Sequence, residues 1–187
     1  MGRVREISPA ALVVGITWTD GNVLSSALKD LVRSYGAIEF ESPDFNFDMT
    51  DYYTEEMGAG LRKRFVCFRR PVPMDELPGI KIATNAIEAS YTRQSDGSAS
   101  RKVNIDPGYV TLSKLVLATT KDYSHRVYIG KGIFAETTLR FVGGSFVPFD
   151  TTYPDYRTPL AIDFFNLVRD YVKRSTHGWT REHASKN

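Results

Sequence analysis

Ionisable side chains cluster at the two ends of one apolar segment, LVLATT, in the second half of the chain. Lys114 and Lys121 bracket this segment, and His125 and Arg126 follow after a short turn. An arginine can hold a phosphate or carboxylate through two hydrogen bonds, and an imidazole can transfer a proton near neutral pH. Together with Glu136, these side chains predict a site for an anionic ligand. Taken singly, each such residue is more often a surface charge or a member of a structural ion pair.

A second candidate is Asp106, which precedes the dipeptide Pro107-Gly108, where we expect a strand to end in a turn. A carboxylate at a strand end can bind a cation or act as a general base. An aspartate before Pro-Gly also often hydrogen-bonds its own turn, so both interpretations stay open. The resulting hypothesis assigns catalysis to Asp106, His125 and Glu136, and ligand contacts to Glu41, Tyr109, Lys114, Lys121 and Arg126.

Carboxylates from distant parts of the chain could add a metal ion to this site. The candidates are Glu41, Glu55, Glu56, Glu88 and Glu136. Because Mg²⁺ prefers carboxylate and carbonyl oxygens, convergence of two of them with Asp106 would form a magnesium site. Zinc is not favoured, because the single cysteine and the three histidines lack ligand spacing. The cofactor therefore stays unassigned with Mg²⁺ as its candidate, and no GxSxG motif indicates a serine nucleophile.

The composition predicts a soluble protein with its own core. Of the 187 residues, 42% are hydrophobic, which is enough to bury a core without disulfides. Basic and acidic residues number 24 and 22, a balance that argues against a protein whose main role is to coat nucleic acid. The single cysteine, Cys67, predicts a small buried hydrophobe and a reducing compartment. Because no apolar run is long enough to cross a bilayer and no secretion signal opens the chain, we expect a cytoplasmic protein without a membrane partner.

The first half of the chain predicts the order strand, helix, strand, strand, helix, strand. Residues 10–18 form an apolar, β-branched run that is typical of a strand covered on both faces. Hydrophobic residues three and four apart predict helices over 23–36 and 74–91, the second with Leu77, Ile80, Ala83, Ile87 and Tyr91 on its buried face. The other strands are expected at 37–48, bent at Pro43; at 61–70, ended by Pro71; and at 101–105, after a mobile connector at 93–100. This order predicts a ferredoxin-like split βαβ unit.

The second half predicts further strands and a final helix. Strands are expected at 110–119, 126–129, 133–142 and 145–149, and Gly143-Gly144 forms a hairpin turn between the last two. Thr158 and Pro159 begin a helix whose buried residues are Leu160, Phe164, Leu167, Val168, Tyr171 and Val172. We therefore expect one α+β domain over residues 1–187, with a mixed or largely antiparallel sheet. Its ordered core should cover about residues 10–174, before a polar, disordered tail at 175–187.

Several long blocks of the sequence resemble one protein family. They are ESPDFNFDMTDYYTEEMG at 41–58, IKIATNAIE at 80–88, VNIDPGY at 103–109, KLVLATTKDYSHRVY at 114–128, GIFAETTL at 132–139 and TYPDYR at 152–157. Through these blocks the chain resembles DUF4416, a bacterial and archaeal family of unknown function, over nearly its whole length. The resemblance implies no established activity.

The function that we expect is binding of a small anionic molecule, phosphorylated or nucleotide-like, in a polar cleft near Asp106, Lys121 and Glu136. A metal-assisted hydrolase or transferase is the reaction class that fits these groups, and whether the protein is an enzyme stays open. One alternative is an RNA-binding module that uses the basic and aromatic run at 62–70, although a nucleic-acid partner is not favoured. Another is a non-catalytic assembly subunit that uses residues 45–53 and the TYPDY loop. The sequence does not predict the oligomeric state.

Overall fold

Nine strands form one antiparallel sheet in the part of the chain that the computed structural model describes, residues 7–48, 57–95 and 98–184. Side chains are described in these ranges except at 93–95, 98–100 and 176–184. The strands of the sheet are β1 (Ala10–Trp18), β2 (Ile38–Glu41), β3 (Phe45–Asn46), β4 (Arg62–Val72), β7 (Val103–Val110), β8 (Lys114–Thr119), β9 (Val127–Gly130), β10 (Ile133–Val142) and β11 (Ser145–Pro148), and a separate hairpin consists of β5 (Thr92–Ser95) and β6 (Ser98–Arg101). The helices of the same ranges are α1 (Gly21–Tyr35), α2 (Leu77–Ser90) and α3 (Pro159–Ala184), with 3-10 turns at Met74–Glu76 and Pro154–Arg157.

The strand order of the sheet is β11-β10-β8-β7-β1-β4-β2, with β3 beside β4 and β9 beside β10. Helix α1 connects β1 to β2, and α2 follows β4 on the way to β7. The four strands β7-β1-β4-β2 with these two helices form the ferredoxin-like split βαβ unit that the sequence predicts. The expected α+β class and largely antiparallel sheet are confirmed. Strands β8, β10 and β11 widen this unit on the β7 side.

The central strand β1 is buried on both faces of the sheet. Leu12, Val14 and Ile16 pack in one hydrophobic cluster with Leu31 of α1 and Ile80 of α2. The alternate residues Ala11 and Val13 of β1 belong to a second cluster under α3, whose members include Phe65, Cys67, Leu117, Phe164, Phe165 and Val168. The molecule therefore has three layers, with α1 and α2 on one face of the sheet and α3 on the other.

Strand β4 continues through Pro71 to Val72, so the predicted strand end at Pro71 is wrong. Pro71 pairs with Ala11 of β1, beside a shift in the register of that pairing. The pairing of β2 with β4 reaches only Phe68, so β4 is an edge strand at Pro71 within the described residues. Proline is tolerated in a strand at such an edge, because its missing N–H is not needed by a neighbour.

Two predicted boundaries around β7 are also wrong. The segment Asp106-Pro107-Gly108 lies inside β7 instead of forming a turn at a strand end. The run at 110–119 is not one strand, because the chain reverses at residues 111–113 and β8 begins at Lys114. A sliding window cannot see this reversal, since residues 110 and 114–119 are all strand-forming and only Thr111, Leu112 and Ser113 separate them.

Four smaller predictions need correction. Residues 93–100 were expected to be a connector, and the described part of that range belongs to the β5–β6 hairpin. Helix α3 continues to Ala184, through most of the range expected to be a disordered tail. On α3, Leu167 is exposed, whereas Ala161 and Phe165 are buried. On α2, Ala83 is exposed, and the buried residues include Lys81, Thr84 and Glu88.

Cys67 is buried with a free thiol, as the sequence predicts. Burial, together with the Glu39 carboxylate, raises the pKa of this thiol to about 12, so Cys67 acts as a small hydrophobic residue of the core. Thr158 caps α3 as expected, because its Oγ1 accepts a hydrogen bond from the Ala161 N–H at 3.2 Å. Within the described residues, no helix combines the length and apolarity needed to cross a bilayer.

Candidate functional site

The sheet opens between β7 and β8, and the candidate site lies in this opening. Strand β1 pairs with β7 along its whole length, whereas β8 pairs with β7 only at residues 108–110. In a strand, the N–H groups of alternate residues point to the same neighbour. The Ile105 N–H points away from β1, toward α2, so the Pro107 nitrogen faces the same way, toward β8. Because proline has no N–H to donate, the β7–β8 pairing ends here.

Gly108 lets the two strands approach closely at the point where they still pair. A Cβ at Gly108 would lie 2.3 Å from the Val116 carbonyl oxygen and 2.6 Å from a methyl carbon of Leu117. Glycine is therefore required for the close contact of β7 with β8. Gly108 thus allows β7 and β8 to pair closely, and the neighbouring Pro107 ends that pairing.

A cavity of about 510 Å³ lies between the separated ends of β7 and β8. Helix α2 closes it on one face of the sheet, and the turn at Pro154–Arg157 closes it on the other. Its polar lining comes from α2 (Lys81, Asn85, Glu88), from β7 and the residues before it (Arg101, Asn104, Asp106), from residues 119–121 at the end of β8, and from Lys63, Tyr123, Arg126, Glu136, Tyr153, Asp155 and Tyr156.

Two side chains of α2 replace β8 as hydrogen-bonding partners of β7. The Ile105 N–H donates to Glu88 Oε1 at 2.6 Å, and Lys81 Nζ donates to the Ile105 carbonyl at 2.9 Å. Glu88 also accepts a bond from Arg101 at 3.0 Å. Burial raises the pKa of Glu88 in spite of the neighbouring Lys81 ammonium group. The backbone of β7 is therefore satisfied at the opening by buried, charged side chains.

Asp106 lines the cavity on the side of β7. Its Oδ2 accepts a bond from Asn104 Nδ2 at 2.7 Å, and its Oδ1 lies 3.4 Å from Lys81 Nζ. Burial by itself would raise the pKa of Asp106, but the charges of Lys81 and Lys63 and the bond from Asn104 outweigh it and lower that pKa. Asp106 is therefore an ionised hydrogen-bond acceptor at neutral pH.

A buried ion pair underlies the cavity on the α3 side. Lys63 Nζ lies 2.7 Å from Asp155 Oδ2, and both side chains are 4% exposed. The ammonium group also lies 4.8 Å from the centre of the Tyr156 ring and 5.0 Å from that of Phe47. A side chain at Gly15 would collide with the Tyr156 hydroxyl at 2.7 Å and approach Lys63 Cε at 3.1 Å. The glycine of β1 thus leaves room for this pair beneath the sheet opening.

Arg126 holds the opposite wall of the cavity together. Its guanidinium group donates to Glu136 Oε2 at 2.8 Å, to the Lys121 carbonyl at 3.1 Å and to the Tyr153 hydroxyl at 2.7 Å. It also lies 4.4 Å from the centre of the Tyr123 ring. Because the side chain is only 1% exposed, these contacts indicate that Arg126 positions the loops around the cavity.

His125 approaches the same wall from the outside. Its Nε2 lies 3.1 Å from Glu136 Oε2, the oxygen that also accepts the bond from Arg126. The cavity lining includes Glu136 but not His125, whose side chain is partly exposed. An imidazole placed between solvent and a buried carboxylate can exchange a proton between them.

Every carboxylate in the cavity lining has a cationic partner. The distances are 3.4 Å for Asp106 and Lys81, 3.0 Å for Glu88 and Arg101, 2.8 Å for Glu136 and Arg126, and 2.7 Å for Asp155 and Lys63. Across residues 7–48, 57–95 and 98–184, no group of three or more His, Cys, Asp or Glu side chains could hold a metal ion together. The carboxylates that were candidates for Mg²⁺ are therefore arranged in this structure as members of ion pairs, and Glu55 and Glu56 lie outside the described residues.

Comparison with protein families matches residues 8–171 to the model of a domain of unknown function, DUF4416. The chain belongs to the DUF4416 family. The resemblance drawn from its sequence blocks is thereby confirmed. No curated protein and no solved structure matches the chain. The cavity of this DUF4416 protein has therefore to be interpreted from its own geometry.

The DUF4416 fold brings some of the predicted site residues together and leaves others apart. Asp106, Lys121, Arg126 and Glu136 line the cavity, and His125 contacts it through Glu136. The other three lie elsewhere. Lys114 is the backbone register partner of Arg140 at the far end of β8, and Glu41 forms an ion pair with Arg64 on β4. Tyr109 packs against a small hydrophobic cluster of Leu77, Val116, Ala118, Ile133 and Ala135. Their predicted ligand contacts have no support from this geometry.

Of the cavity residues on α2, Lys81 was missed in the sequence and Glu88 was named only as a candidate metal ligand, although their spacing gives one signal. Lys81, Thr84 and Glu88 are spaced three and four residues apart, so they share one face of α2. A polar stripe at this spacing is more often exposed to solvent, so the signal shows a shared helix face and does not by itself indicate a cavity. Lys63 gives no comparable signal, because it belongs to a run of basic residues that resembles a solvated surface.

The basic and aromatic run at 62–70 does not form a surface on which bases could stack. Phe65 and Phe68 are 1% and 0% exposed, and they lie in the two different cores of the molecule. Arg64 forms ion pairs with Glu41 and Asp44. The geometry therefore favours the cavity over this strand as the site of function, and the RNA-binding alternative stays a hypothesis.

Proposed function

We propose that the cavity between β7 and β8 binds a small anionic molecule. The observation that carries the proposal is the charge of the lining: among the described residues, five basic side chains and four acidic ones surround about 510 Å³. Pockets for small ligands have volumes of roughly 300–1,000 Å³ and few, fixed polar groups. Charges that are removed from water act on a ligand more strongly than surface charges.

The opening is suited to a small molecule better than to an added peptide strand. A peptide that completed the sheet would have to bond the backbone N–H and carbonyl of Ile105 in β7. Both groups are already bonded, the N–H to Glu88 and the carbonyl to Lys81. A ligand at this place therefore meets side chains instead of a sheet edge.

Arg101 and Lys121 are the cations that we place against the anionic group of the ligand. Arg101 precedes β7 and Lys121 follows β8, so in this antiparallel pair both lie at the open end of the cavity. The Arg101 side chain is 21% exposed, whereas those of Lys63, Lys81 and Arg126 are 4%, 7% and 1% exposed. The three buried cations hold the wall, and the two at the open end can reach a ligand.

The assignment of Asp106, His125 and Glu136 to catalysis stays a prediction within this proposal. Asp106 supplies an ionised carboxylate inside the cavity, and the His125–Glu136 pair supplies an imidazole with access to solvent. These are the groups that a hydrolase or transferase would use for proton transfer. Binding is the part of the hypothesis that the geometry supports most directly.

A thermal-shift screen of the full chain tests the proposal. The compounds are inorganic phosphate, citrate, sugar phosphates and nucleotides, each with and without Mg²⁺. A ligand that binds only the folded state stabilises it by about 2.7 kcal/mol at a concentration of 100 times Kd. We expect at least one anion to raise the melting temperature in a saturable manner.

Two variants locate the binding. Lys121→Ala removes a cation at the open end of the cavity, and Lys173→Ala removes an exposed cation on α3 as a matched control. We expect the anion to stabilise Lys173→Ala as it does the unmodified protein. For Lys121→Ala, the same rise in melting temperature should require an anion concentration about tenfold higher. Absence of any stabilising anion, or equal responses of the two variants, would contradict the proposal.

A further inference from the structure

We infer that the ligand is a phosphorylated or carboxylated polyol, such as a sugar phosphate, whose neighbouring hydroxyl groups bind Asp106. This inference rests on the proposed function, which concerns only the anionic group of the ligand, and adds the hydroxyl-bearing part of the same molecule. The anionic group lies toward Arg101 and Lys121 at the open end, and the hydroxyl groups lie deeper, on the carboxylate of β7.

The unused hydrogen-bonding capacity of Asp106 carries the inference. Each oxygen of an ionised carboxylate has two lone pairs and can accept two hydrogen bonds. In Asp106, Oδ1 accepts from Lys81 and Oδ2 accepts from Asn104. Counting the partners among the described residues, one acceptor position is thus left on each oxygen. The side chain is 26% exposed, the largest fraction among the four carboxylates of the cavity lining, and it borders the cavity.

The two remaining acceptor positions fit a pair of adjacent hydroxyl groups. A carboxylate offers no donor, so the ligand must supply the hydrogens. An ammonium group of a ligand is the other candidate, but Lys81 and Lys63 both act electrostatically on Asp106 and would repel it. Hydroxyl groups donate without adding positive charge, and two of them on neighbouring carbons can reach both oxygens of one carboxylate.

The rest of the lining agrees with a polyol. Asn85 adds an amide on α2, and Thr119 and Thr120 add hydroxyl groups at the end of β8. Tyr123 and Tyr153 add ring surface at the opposite wall, against which the carbon–hydrogen face of a sugar can pack. The lining holds five basic and four acidic side chains, so one anionic group on the ligand matches the excess of one basic side chain.

Calorimetric titration with matched pairs of compounds tests the inference on the unmodified protein. The pairs are ribose 5-phosphate with 2-deoxyribose 5-phosphate, glucose 6-phosphate with 2-deoxyglucose 6-phosphate, and glycerol 3-phosphate with propyl phosphate, and inorganic phosphate is the simple anion. We expect at least one hydroxylated member to bind at least about tenfold more tightly than its partner, because the partner leaves an acceptor of Asp106 unmatched.

The variant Asp106→Asn identifies the carboxylate as the cause of this preference. We expect the variant to bind both members of the preferred pair with affinities that differ by less than about threefold, since an amide can accept at one atom only. Asp163→Asn on α3, where the side chain is exposed, should keep the full preference. If Asp106→Asn does not fold, the comparison of the paired compounds on the unmodified protein still shows whether the hydroxyl groups add affinity.

The results separate this inference from the proposed function. If inorganic phosphate or propyl phosphate binds as tightly as every hydroxylated compound, the inference is wrong and anion binding stands. If the preference survives in Asp106→Asn, the hydroxyl groups bind elsewhere and the inference is also wrong. If none of the anions binds at all, both the inference and the proposed function fail.

Discussion

The two ends of β7 are stabilised in different ways. At residues 108–110 the strand is bonded to β8 by an ordinary antiparallel ladder, and glycine allows the close contact. At Ile105, three residues earlier, Glu88 and Lys81 of α2 take the place of the neighbouring strand. Both ends are equally well paired with β1 on their other side. The difference therefore lies only between β7 and β8.

This comparison shows what the open end of β7 costs the protein. A ladder of backbone bonds carries no net charge, whereas buried charged groups lose their hydration and need partners. Burial raises the pKa of Glu88, which is a sign of that loss. The charged arrangement adds little to stability over a continued ladder, but it leaves a cavity beside it. The ligand binding that we propose for the cavity would explain this arrangement better than its contribution to folding does.

Removal of Glu88 should have the largest effect on the open end. In Glu88→Ala the Ile105 N–H loses its acceptor, and Arg101 and Lys81 lose a buried partner. Loss of one partner from a buried ion pair costs about 3–5 kcal/mol, and we expect the free energy of unfolding in urea to fall by this amount.

Two further variants show whether the backbone bond or the charge of Glu88 matters more. Glu88→Gln keeps an acceptor for the Ile105 N–H, and we expect less than half of the loss seen in Glu88→Ala. The control Glu76→Ala removes an exposed carboxylate just before α2 and should cost less than about 1 kcal/mol. An equal loss in Glu88→Gln and Glu88→Ala would show that Glu88 does not substitute for β8.

The paired end is tested by Gly108→Ala. The new methyl group would collide with the Val116 carbonyl, which belongs to the backbone of β8 and cannot turn aside. We expect a loss of about 3 kcal/mol in the free energy of unfolding, the upper end of the usual cost of overpacking. Gly21→Ala is the control, because a Cβ there meets no atom within 4 Å, and its stability should change by less than about 0.5 kcal/mol. Similar results for the two glycines would mean that β7 and β8 can separate at both ends.

The fold was predictable where a hydrophobic pattern in the sequence is compatible with only one type of secondary structure. The apolar run at 10–18 and the helical periods on both sides of it give the split βαβ unit, because each segment is long and regular. The Pro107-Gly108 dipeptide has two meanings, since it can end a strand in a turn or end the pairing of a strand that continues. Only the position of β8 decides between them, and that position depends on contacts that no local pattern contains.

The site was predictable only in part, for a related reason. Asp106, Arg126 and Glu136 stand out because each is a charge next to an apolar strand. Lys81 was hidden, and Glu88 was named only as a candidate metal ligand, because apolar residues of α2 at Ile80 and Ile87 give the same helical period one position away. A buried ion pair needs both partners to be recognised, and Lys63 and Asp155 are too far apart in the chain for any spacing to connect them.

Asp106→Asn should show an effect of intermediate size that depends on pH. The variant loses a charged hydrogen-bond acceptor for Lys81 and Asn104, which costs about 1.5–3 kcal/mol at neutral pH. Because the pKa of Asp106 is lowered on folding, its stabilising contribution is present above the unfolded value of about 3.9 and is lost as the pH falls below it. Urea unfolding between pH 3 and pH 8 should therefore show the two proteins converging at low pH. A constant difference over this range would mean that the carboxylate is not held ionised by the two lysines.

The smallest effect is expected at Tyr153, on the wall opposite β7. Tyr153→Phe removes the hydroxyl group that accepts a bond from Arg126 at 2.7 Å, and the ring keeps its place beside the cavity. We expect a loss of about 0.5–1 kcal/mol, because the bond is partly open to solvent and water can replace the acceptor. Tyr128→Phe, at an exposed tyrosine of β9, should change stability by less than about 0.5 kcal/mol. A larger loss at Tyr153 than at Glu88 would reverse the comparison, since the far wall and not α2 would then be what holds the open end of β7 in place.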